Sequence, residues 1–286
     1  MWSPASSTPM GMKPAAESSR LESTFARLRR EGRTGLVTYV TAGDPDLDRS
    51  AEILGTLDRA GADVLEVGVP FSDPLADGPV IQRATERALA AGTTLDRVLE
   101  MVRLCRPTIA APLVLFSYAN PILRLGVVTF AKRAASAGVD GILILDLPIE
   151  EAEELHATMG AHGIHTIFLL SPTTTSERLA TAARLGSGFL YGISRLGVTG
   201  ARDAVADGAQ ALAGRIRAIT DLPLALGFGV SRPEHVRQIG EWADAAVVGS
   251  ALVSVIAKVG RDPDLYDRVG DYVRWLKGET DGHGAR

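Results

Sequence analysis

Residues 60–69 read Ala60-Gly61-Ala62-Asp63-Val64-Leu65-Glu66-Val67-Gly68-Val69, and residues 70–79 continue Pro70-Phe71-Ser72-Asp73-Pro74-Leu75-Ala76-Asp77-Gly78-Pro79. The first ten positions pass from the end of a helix into a strand. Gly61 is the residue type that closes a helix in the left-handed conformation. From Val64 onward the side chains alternate. Leu65, Val67 and Val69 share one face, and Val64, Glu66 and Gly68 share the other. A barrel strand turns its apolar set toward the surrounding helices, so Glu66 is expected to point into a barrel, with Gly68 beside it leaving room for a ligand. The next ten positions hold three prolines, two acids and a glycine, the composition of a stiffened βα loop longer than most.

The same grammar extends in both directions. Ala137-Gly138-Val139-Asp140 repeats the helix-to-strand phrase, and Trp242-Ala243-Asp244 repeats it without the glycine. Short β-branched or apolar runs fall at 36–41, 64–69, 113–118, 141–146, 166–170, 188–194, 224–228 and 245–249. Stretches rich in Ala, Leu, Arg and Glu lie between them, and a last one follows Gly249 to about Trp275. Alternating strand and helix imply a parallel sheet. Eight such units predict a single α/β domain, a closed (β/α)8 TIM barrel. An extra N-terminal helix is expected near 17–30 and another after unit two, near 95–105. An open doubly wound sheet is the alternative, but no G-x-G-x-x-G follows the first run. The expected division is a disordered N-terminal extension over 1–18, a TIM-barrel catalytic domain over 19–277 and a flexible tail over 278–286.

Composition narrows the function. The chain has 286 residues, 46% hydrophobic and 22% charged, enough apolar material for a large core. A net charge of −4 and an aromatic content of 5% argue against nucleic acid as a partner. Cys105, the only cysteine, excludes an intramolecular disulfide or a multi-cysteine metal site and fits a reducing, cytoplasmic setting. No apolar run reaches the length of a membrane span, and the first twenty residues lack the apolar core of a secretory signal. No metal site is expected, since His162 and His165 have no third ligand nearby.

In a barrel the chemistry belongs where strands end and βα loops begin. Glu66 sits at that rim. Desolvation there raises a carboxyl pKa and suits it to proton transfer near neutral pH. Asp77, on composition alone, reads as a turn or cap residue. Asp146, closing the fourth run, is placed for a substrate or partner contact. Glycine-bearing segments end the last three runs: 194–200, 227–231 and 248–251. Backbone N–H groups and a helix N-terminus bind phosphate at such places, so Gly200, Gly229, Gly249 and Ser250 are candidate donors.

The run Leu65–Pro79 resembles the signature of the tryptophan synthase α chain family. Val40-Thr41-Ala42-Gly43-Asp44-Pro45, Tyr118-Ala119-Asn120-Pro121, Asp146-Leu147-Pro148, Ser194-Arg195-Leu196-Gly197-Val198-Thr199-Gly200, Gly227-Phe228-Gly229-Val230 and Gly249-Ser250-Ala251 stand in the family's order. The resemblance covers about residues 20 to 275. It implies retro-aldol cleavage of indole-3-glycerol phosphate to indole and glyceraldehyde 3-phosphate, with no cofactor in this chain. By that resemblance Glu66 is the main acid/base and Asp77 the carboxylate that accepts the indole N–H. Gly200, Gly229, Gly249 and Ser250 match the phosphate cradle. Phe228 walls the pocket, and Tyr39, Phe116, Tyr191 and Gly227 fall around the indole. Thr199 matches the threonine that steadies Asp77 when its loop closes. A β chain is implied as partner in an αββα heterotetramer. It carries the pyridoxal phosphate and receives indole through a tunnel, with the 70–79 loop and Tyr118–Pro121 as docking elements. The alternatives are a free-standing indole-3-glycerol phosphate lyase, a non-catalytic activating subunit and another phosphate-binding barrel.

Overall fold

The structure, a computed structural model, describes residues 18–193, 202–227 and 229–280. The expected disordered extension lies outside the described residues apart from Ser18, and so does most of the expected tail. The strands are β1 (Gly35–Thr41), β2 (Val64–Gly68), β3 (Leu113–Ser117), β4 (Gly141–Ile144), β5 (His165–Ile167), β6 (Leu169–Leu170), β7 (Leu190–Ile193), β8 (Leu224–Gly227) and β9 (Ala245–Val248). The described pairs are all parallel, in the order β5-β4-β3-β2-β1-β9-β8-β7-β6.

The two ends of that order are consecutive in sequence. Only Phe168 separates β5 from β6, and its carbonyl accepts the Tyr191 N–H at 3.0 Å, while the Thr166 carbonyl accepts from Ser187 at 3.0 Å. The single fifth run expected from sequence is therefore one stave in two halves: its first half pairs with β4 and its second with β7. Counted by staves, the TIM barrel has eight.

The described helices are α1 (Arg20–Glu31), α2 (Leu47–Arg59), α3 (Pro79–Ala90), α4 (Leu95–Cys105), α5 (Ala119–Leu125), α6 (Val127–Ala137), α7 (Glu153–Gly160), α8 (Ser176–Leu185), α9 (Arg202–Arg217), α10 (Pro233–Gly240), α11 (Ser250–Val259) and α12 (Leu265–Leu276). Both extra helices expected from sequence are present as α1 and α4. Short α5 was not anticipated; it ends at Gly126, whose φ of 86° suits glycine. The last helical stretch, read as continuous, divides at Gly260 (φ 44°) and Pro263 into α11 and α12.

The strand faces divide the core as the alternation of β2 implies. Leu65, Val67 and Val69 pack in the layer between strands and helices, with Leu54 and Leu57 of α2 and Val98 and Val102 of α4. Val64 joins the barrel interior with Val37, Val114, Leu143 and Val247. Helix α1 closes the lower end of that interior. Ser19 and Glu22 form its capping box, and Leu21, Phe25 and Leu28, spaced along one face, are buried in the interior cluster.

The repeated aspartates also act at this lower end. Asp63, Asp140 and Asp244 each accept a backbone N–H from the neighbouring stave, from Leu36 at 3.0 Å, Leu113 at 2.8 Å and Leu224 at 2.7 Å respectively. Ser187 does the same for Thr166 at 3.1 Å. Each aspartate also holds an arginine of α1 or its C-terminal edge. Arg27 and Arg33 bind Asp63, Arg20 binds Asp140 and Arg29 binds Asp244. The Ala-Gly-x-Asp phrase thus ends a helix, seats a strand start and clamps the plug.

Candidate active site

Glu66 is the middle residue of β2, level with Tyr39 of β1 and Val114 of β3. It is fully buried, and neither carboxylate oxygen has a hydrogen-bond partner among the described residues. Burial pushes its pKa up to about 8, because an uncompensated interior disfavours the charged form. Its surroundings are aromatic. Tyr39 packs edge-on against Phe116 with centroids 5.1 Å apart, and Tyr191 enters from β7.

Gly68 has a different use from the one expected. A β-carbon there would lie 2.1 Å from the Tyr39 hydroxyl. The space beside Glu66 is therefore filled by the Tyr39 phenol, not left for a ligand. Gly227 likewise accommodates Tyr191, whose hydroxyl would stand 2.9 Å from an added β-carbon. Burial raises the pKa of both phenols. For Tyr39 the neighbouring charges of Asp77 and Glu66 add to the effect, and for Tyr191 that of Glu66 does. The fold thereby brings Tyr39, Glu66, Asp77 and Tyr191 into one electrostatic neighbourhood.

Asp77 lies near the end of the loop that joins β2 to α3. Its N–H donates to the Pro74 carbonyl at 3.1 Å, and Gln82 donates to its carbonyl at 2.9 Å. Its carboxylate accepts the Tyr118 hydroxyl at 3.1 Å. Burial raises its pKa, and the Tyr118 bond acts in the opposite direction. Tyr118 was not read from sequence as a partner of Asp77. The available signal was its position immediately after β3, on the rim beside β2.

Two staves from β2, across β1, Gly249 leads from β9 into α11 without a side-chain cap on the first turn. The first N–H groups of a helix in that state are free to meet an anion. Gly229 has φ +69°, a conformation that favours glycine. Gly249 lies against Tyr39: a β-carbon there would be 3.7 Å from that of Tyr39. Ser250, exposed, opens α11. Thr199, Gly200 and Phe228 lie outside the described residues.

The remaining candidates have local explanations. His162 bonds to the Thr158 carbonyl and His165 to the Ser19 hydroxyl. Among the described residues no group of three or more His, Cys, Asp or Glu is arranged to hold a metal ion. Asp146 accepts the Ala119 N–H at 2.7 Å, which ties the rim after β4 to the start of α5. Among the described residues no helix is long and apolar enough to cross a membrane.

A closed eight-stave α/β barrel with a desolvated carboxyl inside its second stave belongs to the class of TIM-barrel enzymes. The family model described as tryptophan synthase alpha chain matches residues 25–271. The chain is 48% identical to the tryptophan synthase alpha chain of Solibacter usitatus, over 94% of this chain and 99% of that one. It is 44% identical to that of Arabidopsis thaliana, over 86% and 90%. The crystal structure of tryptophan synthase subunit alpha from Legionella pneumophila superposes with a TM-score of 0.85 at 38% identity, covering 92% of this chain and 99% of that one. The chain belongs to the tryptophan synthase alpha chain family.

Proposed function

We propose that this lyase cleaves indole-3-glycerol phosphate into indole and glyceraldehyde 3-phosphate, with Glu66 as acid/base and Asp77 as the carboxylate that receives the indole N–H. Proton transfer from Glu66 to indole C3 makes the ring an electron sink. Ionised Asp77 stabilises the positive charge that then develops toward the ring nitrogen. The side-chain hydroxyl on the carbon attached to C3 loses its proton to the Glu66 carboxylate. A carbonyl forms there, and the electron pair of the breaking carbon–carbon bond returns to the ring. One proton enters and one leaves, so Glu66 ends as it began.

The observation that carries this reading is the burial of Glu66 with both oxygens unpartnered among the described residues. A carboxyl held protonated to about pH 8 is an acid suited to neutral pH. Tyr39, Phe116, Tyr191, Gly227 and Phe228 are assigned to the indole end. Thr199 is assigned to Asp77, and Gly200, Gly229, Gly249 and Ser250 to the phosphate. Residues 19–277 form the proposed catalytic unit, working in the cytoplasm.

Family membership implies partnership with a tryptophan synthase β chain. An αββα assembly is the proposed form, with pyridoxal phosphate held by β and indole handed on to it. Lys132 and Lys258 of this chain lie in α6 and α11. The test is indole release from indole-3-glycerol phosphate by wild type and Glu66→Gln, each with and without a β chain. Slow wild-type turnover raised by β and lost in Glu66→Gln supports the reading. Fast turnover without β favours a free-standing lyase. No indole under any condition overturns the assignment.

A further inference from the structure

Tyr118 joins the two ends of the loop that carries Asp77. Its ring lies against Phe71, near the start of the loop, with centroids 5.1 Å apart and planes at 33°. Its hydroxyl accepts the Ala76 N–H at 3.0 Å and donates to Asp77 Oδ2 at 3.1 Å. Between these anchors the loop faces solvent, with Leu75 93% exposed. Tyr118 itself is only 4% exposed. Its backbone is fixed on both sides: the Ser117 hydroxyl donates to the Tyr118 carbonyl at 3.0 Å, and the next N–H, of Ala119, donates to Asp146 at 2.7 Å.

We infer that Tyr118 is a positioning residue of Asp77, additional to Thr199: one phenol sets the shape of the loop and engages Oδ2 of the carboxylate, leaving Oδ1 as the oxygen for the indole N–H. The inference rests on the reading of Asp77 given above. A carboxylate on a solvent-facing loop has many rotamers and loop conformers available. Two hydrogen bonds and a ring contact to a residue seated on β3 and the β4 rim remove most of them before substrate arrives, which is the use of preorganisation. The same bond favours the ionised carboxylate against the desolvation that opposes it. The hydroxyl's two roles are distinct, since it accepts from the main chain and donates to the side chain.

Tyr118→Phe keeps the ring against Phe71 and deletes both hydrogen bonds. In the full chain it is expected to lower kcat for indole release about tenfold, the scale of a lost hydrogen bond to a charged group. KM should change less than about twofold, because the lost bond acts on the group that stabilises the transition state. The acid limb of kcat/KM should move to higher pH as Asp77 loses its donor. Among the described residues the other titratable groups felt at this arrangement are Tyr39 from β1 and Asp146 behind Tyr118, and both residues are retained in the variant. Tyr118→Leu, which also removes the ring, should lose more. A residue serving only to pack Phe71 would leave Tyr118→Phe with the wild-type kcat and pH profile, and that result overturns the inference. Asp77→Asn separates the two ideas. If Asp77→Asn keeps full activity, the reading of Asp77 fails. If it is inactive while Tyr118→Phe is wild type, only the role of Tyr118 fails.

Discussion

Asp63 and Glu66 are three positions apart on the same stretch of chain, both buried, and the fold treats them in opposite ways. Asp63, at the lower end of the barrel, meets two guanidinium groups and the Leu36 N–H. Burial by itself would raise its pKa, but Arg33 and that N–H outweigh the penalty and hold it below the usual carboxylate range. Glu66, three residues further along the strand, has no such partner among the described residues, and burial pushes its pKa up to about 8. Asp244 repeats the lower pattern, lowered by Leu224 N–H and Arg217 against the same desolvation. Asp77 repeats the upper one, raised by burial with a single phenol in opposition. The lower end satisfies its charges and so holds the barrel shut. The upper end leaves one carboxyl, Glu66, without a partner among the described residues, a local cost that the rest of the fold sustains and that chemistry can use.

Substitutions at the two ends should therefore separate activity from stability. The largest effect is expected of Glu66→Gln, with kcat for indole release reduced about a thousandfold, the scale of general acid–base catalysis, and thermal stability unchanged or raised. In wild type, kcat/KM should decline above about pH 8, where Glu66 gives up its proton. A Glu66→Gln enzyme that retains activity would remove the distinction between the two ends.

The next effect concerns stability against pH, and it has opposite sign at the two ends. The unfolded chain releases the Glu66 proton near 4.5 and the folded protein near 8. Between those values the folded state binds more protons, so stability falls as pH rises through the interval, by up to a few kcal/mol for a shift of this size. Asp63 contributes stability that is present above its unfolded value of 3.8 and is lost as pH falls through its lowered folded value. Urea midpoints measured across about pH 3 to 8 should show Glu66→Gln flattening the decline between about pH 4.5 and 8 and leaving the acid limb unchanged. The same decline persisting in Glu66→Gln would assign it to another group.

Asp63→Ala should cost about 2 kcal/mol in urea unfolding, less than a fully buried ion pair because both arginines reach solvent. Its kcat should stay near wild type. A selective loss of kcat without loss of stability would instead tie the plug of the barrel to the chemistry. Ser250→Ala is expected to have the smallest effect, a several-fold rise in KM for the phosphate substrate at constant kcat, which corresponds to about 1 kcal/mol of ground-state binding. Steady-state kinetics of indole release would show this directly; a fall in kcat alone would place Ser250 with the reacting end of the substrate.

Much of this was legible in the linear sequence because it depends on periodicity and on local backbone demands. Alternation across Val64–Val69 determined which face of β2 meets the helices and that Glu66 points inward. Eight repeats of strand and helix determined the barrel, and the glycines at its last strand ends marked the candidate anion site. Asp77 rose above a turn residue only through a family signature, since nothing in the spacing of a Pro-rich loop indicates which side chain folds back over the mouth. Tertiary structure alone decided the rest. It filled the space beside Gly68 with Tyr39, brought Tyr118 onto Asp77 across 41 positions of chain, divided the fifth stave between two neighbours, and gave the aspartates of the helix-to-strand phrase their arginines from α1. These outcomes rest on contacts between residues distant in sequence. A pattern of nearest neighbours records where a side chain points but not what stands opposite it, and for a buried carboxyl the group opposite decides whether it stabilises the fold or holds a proton for catalysis.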